Sequence, residues 1–202
     1  MHGNTTMTWK WLGRVPYEDA RAMQRERVDA VAAGTAEPVL WLLEHPDVVT
    51  VGRGGDREEA VRSGLPVAET ERGGGLTWHG PGQVVGYPIF RLDDHDVHRH
   101  LRDIEGALIR WLAALGVMGG RIEGLTGVWV GAKKIASIGV AVRRWVTYHG
   151  FALNVNPDMA AFRRFRPCGL DPDVMTSLAE QGVAVAVEEA ARGIALAFGA
   201  AG

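Results

Sequence analysis

The apolar residues of this chain change period along its length, and that change limits the folds open to it. Between Asp96 and Leu115, Val97, Leu101, Ile104, Leu108, Trp111, Leu112 and Leu115 recur at steps of three and four, the spacing of one helix face, and Gly116 follows as a stop. From Val128 the step is two. Val128-Trp129-Val130 leads to Ala136, Ile138, Val140 and Val142 in strict alternation, then to a further run from Trp145 to Asn154. Gly131-Ala132 and Arg143-Arg144 stand at the junctions, so these runs predict antiparallel hairpins. Strands in adjacent runs, mixed with helices, argue for an α+β fold rather than a doubly wound parallel sheet.

Other segments fit that class. Pro16 and Gly34 bracket a helix over Tyr17–Ala33. Val39–Leu43 and Val48–Val51 read as short strands around the turn cluster Glu44-His45-Pro46-Asp47, Asp56–Arg62 as a short charged helix, and Ala184–Phe198 as a closing helix. Gln83–Phe90 reads as a strand in which Pro88 suggests an edge or a strand end. No repeat, linker or low-complexity tract divides the chain, and residues 1–202 are expected to form a single catalytic domain.

Charge and cysteine usage exclude several partners. With 22 Lys+Arg against 24 Asp+Glu the net charge is −2, so there is no global field to hold nucleic acid. The single cysteine cannot form an internal disulfide, which suits a reducing cytoplasm. Lys10 and Arg14 follow an N-terminus without the apolar stretch of a signal peptide. The uncharged run Gly73–Phe90 has 18 residues, but six Gly and two Pro within it exclude a membrane-spanning helix. No membrane association is expected. Glycine is the oddity: 27 residues of 202, about twice the usual share of roughly 7%.

Three stretches concentrate chemistry-bearing residues. The first is Arg72-Gly73-Gly74-Gly75-Leu76-Thr77-Trp78-His79-Gly80-Pro81-Gly82-Gln83. Consecutive glycines permit close backbone approach to a ligand and leave N–H groups for an oxyanion. They also suit a plain surface loop, for which Trp78 and His79 are poor choices. The stretch is not a dinucleotide fingerprint, because Gly86 comes one residue too late after Gly80 and Gly82 and a strand follows instead of a helix. The second is Arg163-Arg164-Phe165-Arg166-Pro167-Cys168-Gly169, where the cysteine sits in a turn-forming triplet and three upstream arginines favour its thiolate. Those arginines read equally well as the solvated face of a short helix. The third is Gly131-Ala132-Lys133-Lys134-Ile135-Ala136-Ser137-Ile138-Gly139. Adjacent lysines on a strand point to opposite faces, so one turns inward while the other stays wet. An inward lysine near Cys168 stabilises a thiolate and, with its pKa lowered by desolvation, exchanges protons. His95, His98 and His100 with Asp93, Asp94 and Asp96 imitate a metal site but lie at a helix start with no matching ligand set, so a solvated face and no metal are expected. His79 and His149, beside glycines in candidate loops, are better placed for function.

The first of these stretches, extended to Pro88, together with Lys134–Val140, Thr147-Tyr148-His149-Gly150-Phe151-Ala152-Leu153-Asn154 and Pro167-Cys168-Gly169, resembles the lipoyl(octanoyl) transferases in motif, order and spacing. The likeness extends upstream through Val15-Pro16-Tyr17 and Leu43-Glu44-His45-Pro46. It implies the fold of lipoate and biotin protein ligase catalytic domains, a mixed, largely antiparallel sheet flanked by helices. It implies octanoyl transfer from octanoyl-acyl carrier protein, through a Cys168 thioester, to a lysine of lipoyl domains of 2-oxoacid dehydrogenase complexes or of the glycine cleavage H protein, without a cofactor. By motif, Cys168 is the nucleophile and Lys134, not Lys133, the lysine that lowers its pKa. The substrate-lining residues are Arg72, Gly73, Gly74, Gly75, Leu76, Thr77, Trp78 and His79, then Ser137, Ile138 and Gly139, then Gly150, Phe151 and Ala152. The chain departs from the family at Trp78, where tyrosine is common, and at Gly75 and Leu76. Rival readings are an ATP-dependent lipoate protein ligase, a thioesterase and a non-catalytic acyl-binding module. Arg143-Arg144 and Arg163-Arg164-Arg166 are the densest basic groups and are expected to steer an acidic carrier protein.

Overall fold

The computed structural model describes residues 7–201. In chain order its strands are β1 (Thr8–Arg14), β2 (Val39–Glu44), β3 (Val48–Val51), β4 (Val67–Glu69), β5 (Leu76–His79), β6 (Gln83–Ile89), β7 (Gly119–Ile122), β8 (Leu125–Val130), β9 (Lys133–Arg143) and β10 (Val146–Asn154). The helices are α1 (Tyr17–Ala33), α2 (Arg57–Arg62), α3 (Val97–Ala114) and α4 (Val187–Ala197). Seven strands form the main sheet in the order β1-β2-β6-β10-β9-β8-β7, antiparallel throughout except for the β1–β2 pair. A smaller sheet, β4-β3-β5, stands beside it. The α+β class and the mixed, largely antiparallel sheet are as expected. Among the described residues no helix is long and apolar enough to cross a membrane.

Strand alternation divides the core into two layers. Leu40 and Leu42 of β2 and Phe151 and Leu153 of β10 face α3 and α4, packing with Ile104, Leu108, Leu112 and Ile194. Val39 and Leu43 of β2 and Ala152 of β10 face α1, packing with Ala20, Val28 and Val31. Each helix carries its own stop or start signal. Gly34 takes φ +73° and its N–H reaches Val31 O (3.1 Å), while Asp96 accepts from Arg99 N (2.9 Å) to cap α3. The closing helix starts at Val187, three residues later than its apolar pattern suggests, because Ala186 is still extended (φ −71°, ψ 148°).

Pro88 is not on an edge strand: β6 lies between β2 and β10, with Pro88 opposite Leu40 near its C-terminal end. On the other side, the β10 ladder stops at Phe151, opposite Gly86. There His149 takes φ +56° and gives its N–H to Gln24 Oε1 of α1 (2.8 Å), while Thr147 Oγ1 donates to Pro88 O (2.7 Å). The missing donor of Pro88 thus falls where β10 bends away.

The bend is possible only because two strands approach closely at glycine. A Cβ at Gly150 would stand 2.1 Å from Gly86 O and 2.6 Å from Pro88 Cδ. Gly150→Ala is expected to lower unfolding free energy by about 2–4 kcal/mol in urea titrations. Gly120→Ala, in open space, stays within about 0.5 kcal/mol of the parent.

Candidate active site

The glycine-rich stretch forms a tight loop followed by a strand. The loop is braced from behind by a second glycine cluster: Gly52 N donates to Gly75 O (3.1 Å) and Gly54 N to Gly74 O (3.0 Å), and a Cβ at Gly52 would lie 2.4 Å from Gly74 O. Beneath it Arg72 is buried, its Nη2 donating to Thr50 O and Oγ1 (both 2.8 Å) and its Nη1 to Gly73 O (3.1 Å). In β5 the two-residue period sorts the motif. Thr77 and His79 face a narrow cavity, whereas Leu76 and Trp78 face a separate apolar cluster with Phe162 and Met175. Trp78 therefore stands away from the cavity, its Nε1 donating to Asp47 Oδ1 (3.0 Å) and its ring edge-on to Phe162.

Cys168 enters from the far end of the chain. It sits in a 3₁₀ turn (Pro167–Gly169) with φ 52° and ψ 33°, a left-handed conformation that a non-glycine residue adopts at a cost. The turn presses on the glycine loop. A Cβ at Gly75 would be 3.3 Å from Cys168 Cα, one at Gly74 3.9 Å from Sγ, and Sγ itself lies 3.5 Å from Leu76 O. Gly75 and Leu76 thus meet the cysteine by backbone, although neither lines the cavity. The cysteine is open to solvent.

Of the two lysines, Lys134 turns inward and is buried, its Nζ 5.5 Å from the centre of the Trp129 ring. Lys133 is exposed and its Nζ contacts Asp173 O. Lys134 and Cys168 line the same cavity with Arg72, Gly73, Gly74, Thr77 and His79. The hairpin adds the remaining wall, since Ser137, Ile138 and Gly139 pair directly with Ala152, Phe151 and Gly150. Desolvation lowers the Lys134 pKa, opposed by the nearby Cys168 and Glu105. The cations that face Cys168 are Arg72 and Lys134. Of the arginines before the cysteine, Arg163 pairs with Asp173 (3.3 Å), and Arg164 and Arg166 are exposed. Three polar atoms in the wall, Arg72 Nε, Thr77 Oγ1 and His149 Nε2, are buried with no hydrogen-bond partner.

The deep wall holds residues the motif reading did not assign: Tyr17, Val85, Tyr87 and His149. Tyr17 and Tyr87 lie within the stretches that carry the resemblance, but their inward orientation follows from the α1 and β6 faces. Behind them His45 Nδ1 donates to Val15 O (2.6 Å), which fixes the tautomer and leaves Nε2 to accept from the Tyr87 hydroxyl (2.6 Å). The rings of Tyr17 and His79 stack at 6.2 Å. His79 Nδ1 donates to Gln83 Oε1 (3.2 Å), the oxygen end of an amide whose nitrogen donates to Trp78 O and Asn154 Oδ1. Burial lowers the pKa of His45 and of His149 to about 4 and that of His79 well below its usual value. The deep wall of Tyr17, Tyr87, His79 and His149 is thus aromatic and uncharged at neutral pH, and the charge on the lining is that of Arg72 and Lys134. Two of the helix-start histidines lie on the solvated face expected of them, His98 and His95, the latter stacked on Trp145 (4.0 Å), whereas His100 is buried edge-on to Phe90 where α3 packs on the sheet.

The scaffold that carries this site is shared with solved structures. ATP-bound lipoate-protein ligase A superposes with a TM-score of 0.77 at 18% identity, covering 96% of this chain and 84% of that one. The Aquifex aeolicus biotin protein ligase in complex with biotin and ATP gives 0.57 at 12%, covering 95% and 68%. These likenesses define the fold class. The model of the lipoyl protein ligase A/B catalytic domain family matches residues 16–199. An octanoyltransferase of Geobacter metallireducens is 51% identical over 169 residues, 83% of this chain and 79% of that protein. One from Mycobacterium tuberculosis strain H37Rv is 48% identical over 195 residues, 94% and 84% of the two chains. The chain belongs to the lipoyl protein ligase A/B catalytic domain family, among relatives named octanoyltransferase.

The buried imidazoles set a pH limit on the site. As pH falls below about 6.5 the unfolded chain binds protons that the folded chain refuses until about pH 4, so stability falls across that window. At pH 5 the loss is about 2 kcal/mol for each of His45 and His149. Thermal melts are expected to show a lower Tm at pH 5 than at pH 7, with a shallower decline in His149→Gln. An unchanged Tm contradicts the assignment.

Proposed function

We propose that the chain is an octanoyltransferase in protein lipoylation, with Cys168 as acyl-thioester nucleophile and Lys134 as its proton-exchange partner. The observation that carries this reading is the meeting of a solvent-open cysteine and a buried lysine in one cavity, although 34 positions separate them in sequence (168 − 134). The Cys168 thiolate attacks the carbonyl carbon of an octanoyl thioester, the donor thiol leaves with a proton from Lys134, and an octanoyl-Cys168 thioester forms. Thioester for thioester is nearly isoenergetic, so this step needs no ATP. The ε-amine of an acceptor lysine then attacks the new thioester, its proton passes to Lys134, and Cys168 leaves as thiolate. The Gly73 N–H is committed to Val140 O (3.0 Å) and the Gly169 N–H to Arg166 O (3.1 Å). Oxyanion donors must therefore be sought in the neighbouring Gly74, Gly75 and Cys168 amides. The aromatic, uncharged deep wall suits an unfunctionalised alkyl chain. Octanoyl-acyl carrier protein is the donor and a lipoyl-domain lysine the acceptor, in a single catalytic domain working in the cytoplasm.

The test is incubation with octanoyl-acyl carrier protein and an apo lipoyl domain without ATP, followed by intact mass of all three proteins. Octanoyl gain on the lipoyl domain is expected. Free octanoate alone identifies a thioesterase, and a strict ATP requirement identifies a ligase. Cys168→Ser is expected to carry no octanoyl group and to lose transfer by at least about 10³-fold. Acylated Cys168→Ser with full transfer overturns the nucleophile assignment.

Docking of the donor rests on exposed charge. Arg143 and Arg144 both lie against Asp29 (3.3 and 3.9 Å) and Arg163 against Asp173 (3.3 Å), but Arg163, Arg164 and Arg166 are exposed and immediately precede the cysteine turn. Charge reversal at Arg163 and Arg164 is expected to raise the apparent KM for the carrier protein at low salt, and added salt to narrow the difference.

A further inference from the structure

A fully buried carboxylate lies on the far side of the cavity wall from Cys168. Glu105, on the buried face of α3, accepts through Oε2 from Arg102 Nη1 and Arg121 Nε, both at 2.7 Å. Those guanidiniums stand on the solvent side, 48% and 42% exposed. Its other oxygen turns inward, and Oε1 accepts from Gly127 N at 3.1 Å. Gly127 has φ +131° and adjoins the point where the β8–β9 register shifts, between Val128 and Trp129. A Cβ there would lie 2.6 Å from Lys134 Cε and 3.3 Å from Nζ. Carboxylate, glycine N–H and lysine ammonium therefore follow one another in close packing.

We propose that Glu105 is a positioning residue for Lys134: it fixes the β8 irregularity against which the lysine lies and places a carboxylate behind its ammonium. The proposal rests on the reading of Lys134 and Cys168 as a dyad. An uncharged acceptor would satisfy the Gly127 N–H, and a buried carboxylate carries a desolvation penalty that hydrophobic or neutral replacements avoid. What the charge adds is electrostatic. The ionisable groups facing Lys134 are Cys168 from the 3₁₀ turn and Glu105 from α3, and both oppose the loss of the ammonium by desolvation. Those facing Cys168 are Lys134 and Arg72. Arg102 and Arg121, facing Glu105, temper its field and hold its orientation. An ammonium that survives burial stabilises the Cys168 thiolate; one that loses its proton too early does not.

Glu105→Gln tests this, because it removes the charge at nearly constant shape and keeps an oxygen that can accept from Gly127 N–H, at the cost of turning its NH2 toward the Arg102 and Arg121 donors. Two readouts are needed: Lys134 titration by NMR with labelled lysine, and the pH dependence of Cys168 alkylation by iodoacetamide. In the folded variant Lys134 is expected to titrate roughly half to one pH unit lower and the alkylation profile to move to higher pH. Arg102→Gln, with Arg121 still paired to the carboxylate, moves both profiles the other way. A folded Glu105→Gln with both profiles at the parent position overturns the proposal. If that variant does not fold, unmoved profiles in Arg102→Gln overturn it instead. Failure of the dyad itself shows separately, as a Lys134→Met protein whose Cys168 alkylation profile matches the parent.

Discussion

The segment that carries Cys168 has no long helix or strand of its own, and its placement depends on one buried amide. Asn154, the last residue of β10, accepts from Gln83 Nε2 (2.9 Å) and donates through Nδ2 to Thr176 O (2.8 Å), while its backbone carbonyl accepts from Leu178 N (3.0 Å). Thr176 N in turn donates to Lys134 O (3.0 Å), and Met175 bridges to Lys134 in parallel. The chain between Asn154 and Thr176 is thus a loop with both ends fixed to the sheet, one of them at the residue whose side chain faces Cys168. Loops are suited to chemistry when a rigid scaffold fixes their ends. Here the scaffold includes the lysine, so the strand that aims Lys134 also anchors the segment bearing the cysteine.

Burial then gives the site its electrostatic character. Titratable groups around the cavity lie in low-dielectric surroundings, which disfavours charge unless a partner compensates. The histidines have none that suffices and stay neutral. Glu71 is the counterexample: burial would raise its pKa, yet Arg21 and Arg25 draw it down to about 2. The carboxylate stays ionised 3.5 Å from His149 Nε2 without protonating that ring at neutral pH. Charge is concentrated at the mouth, where Arg72 and Lys134 face Cys168, and the deep wall is left aromatic and neutral.

Much of the fold is legible where one period persists over many residues. The α1 boundaries Tyr17 and Ala33 and the two hairpin turns of β8–β10 follow from punctuation and alternation alone. Of the short elements, β3 and α2 are legible, but β4, β5 and β7 are not. β5 hides behind three glycines whose composition signals a loop, and β7 begins with Gly119-Gly120 and has no apolar alternation to announce it. Pro88 marks a strand end, one residue before the last of β6, but not an edge, because its missing donor falls where another strand bends away and Thr147, 59 residues on, donates to its carbonyl. The arginines before Cys168 are its neighbours in sequence, but none of them lines the cavity, and the cations that share it with the thiol come from positions 72 and 134. The motif stretches mark which segments meet, but the strand period decides which of their side chains face inward, as Thr77 and Trp78 show on a single strand.

The excess of glycine has a more specific explanation than flexibility. Gly52, Gly74 and Gly75 lie in two loops stacked backbone to backbone, with the cysteine turn as a third layer, and a side chain at Gly52 or Gly75 would crowd the layer behind or in front of it. Gly86 and Gly150 do the same for two central strands. Stacking bare backbones brings N–H groups and a thiol within a few ångströms of one narrow cavity. A ligase that activates its acid with ATP can share this scaffold without a thiol at the mouth. What sets the proposed chemistry apart is therefore local: a cysteine held left-handed against a glycine layer, with a buried lysine facing it.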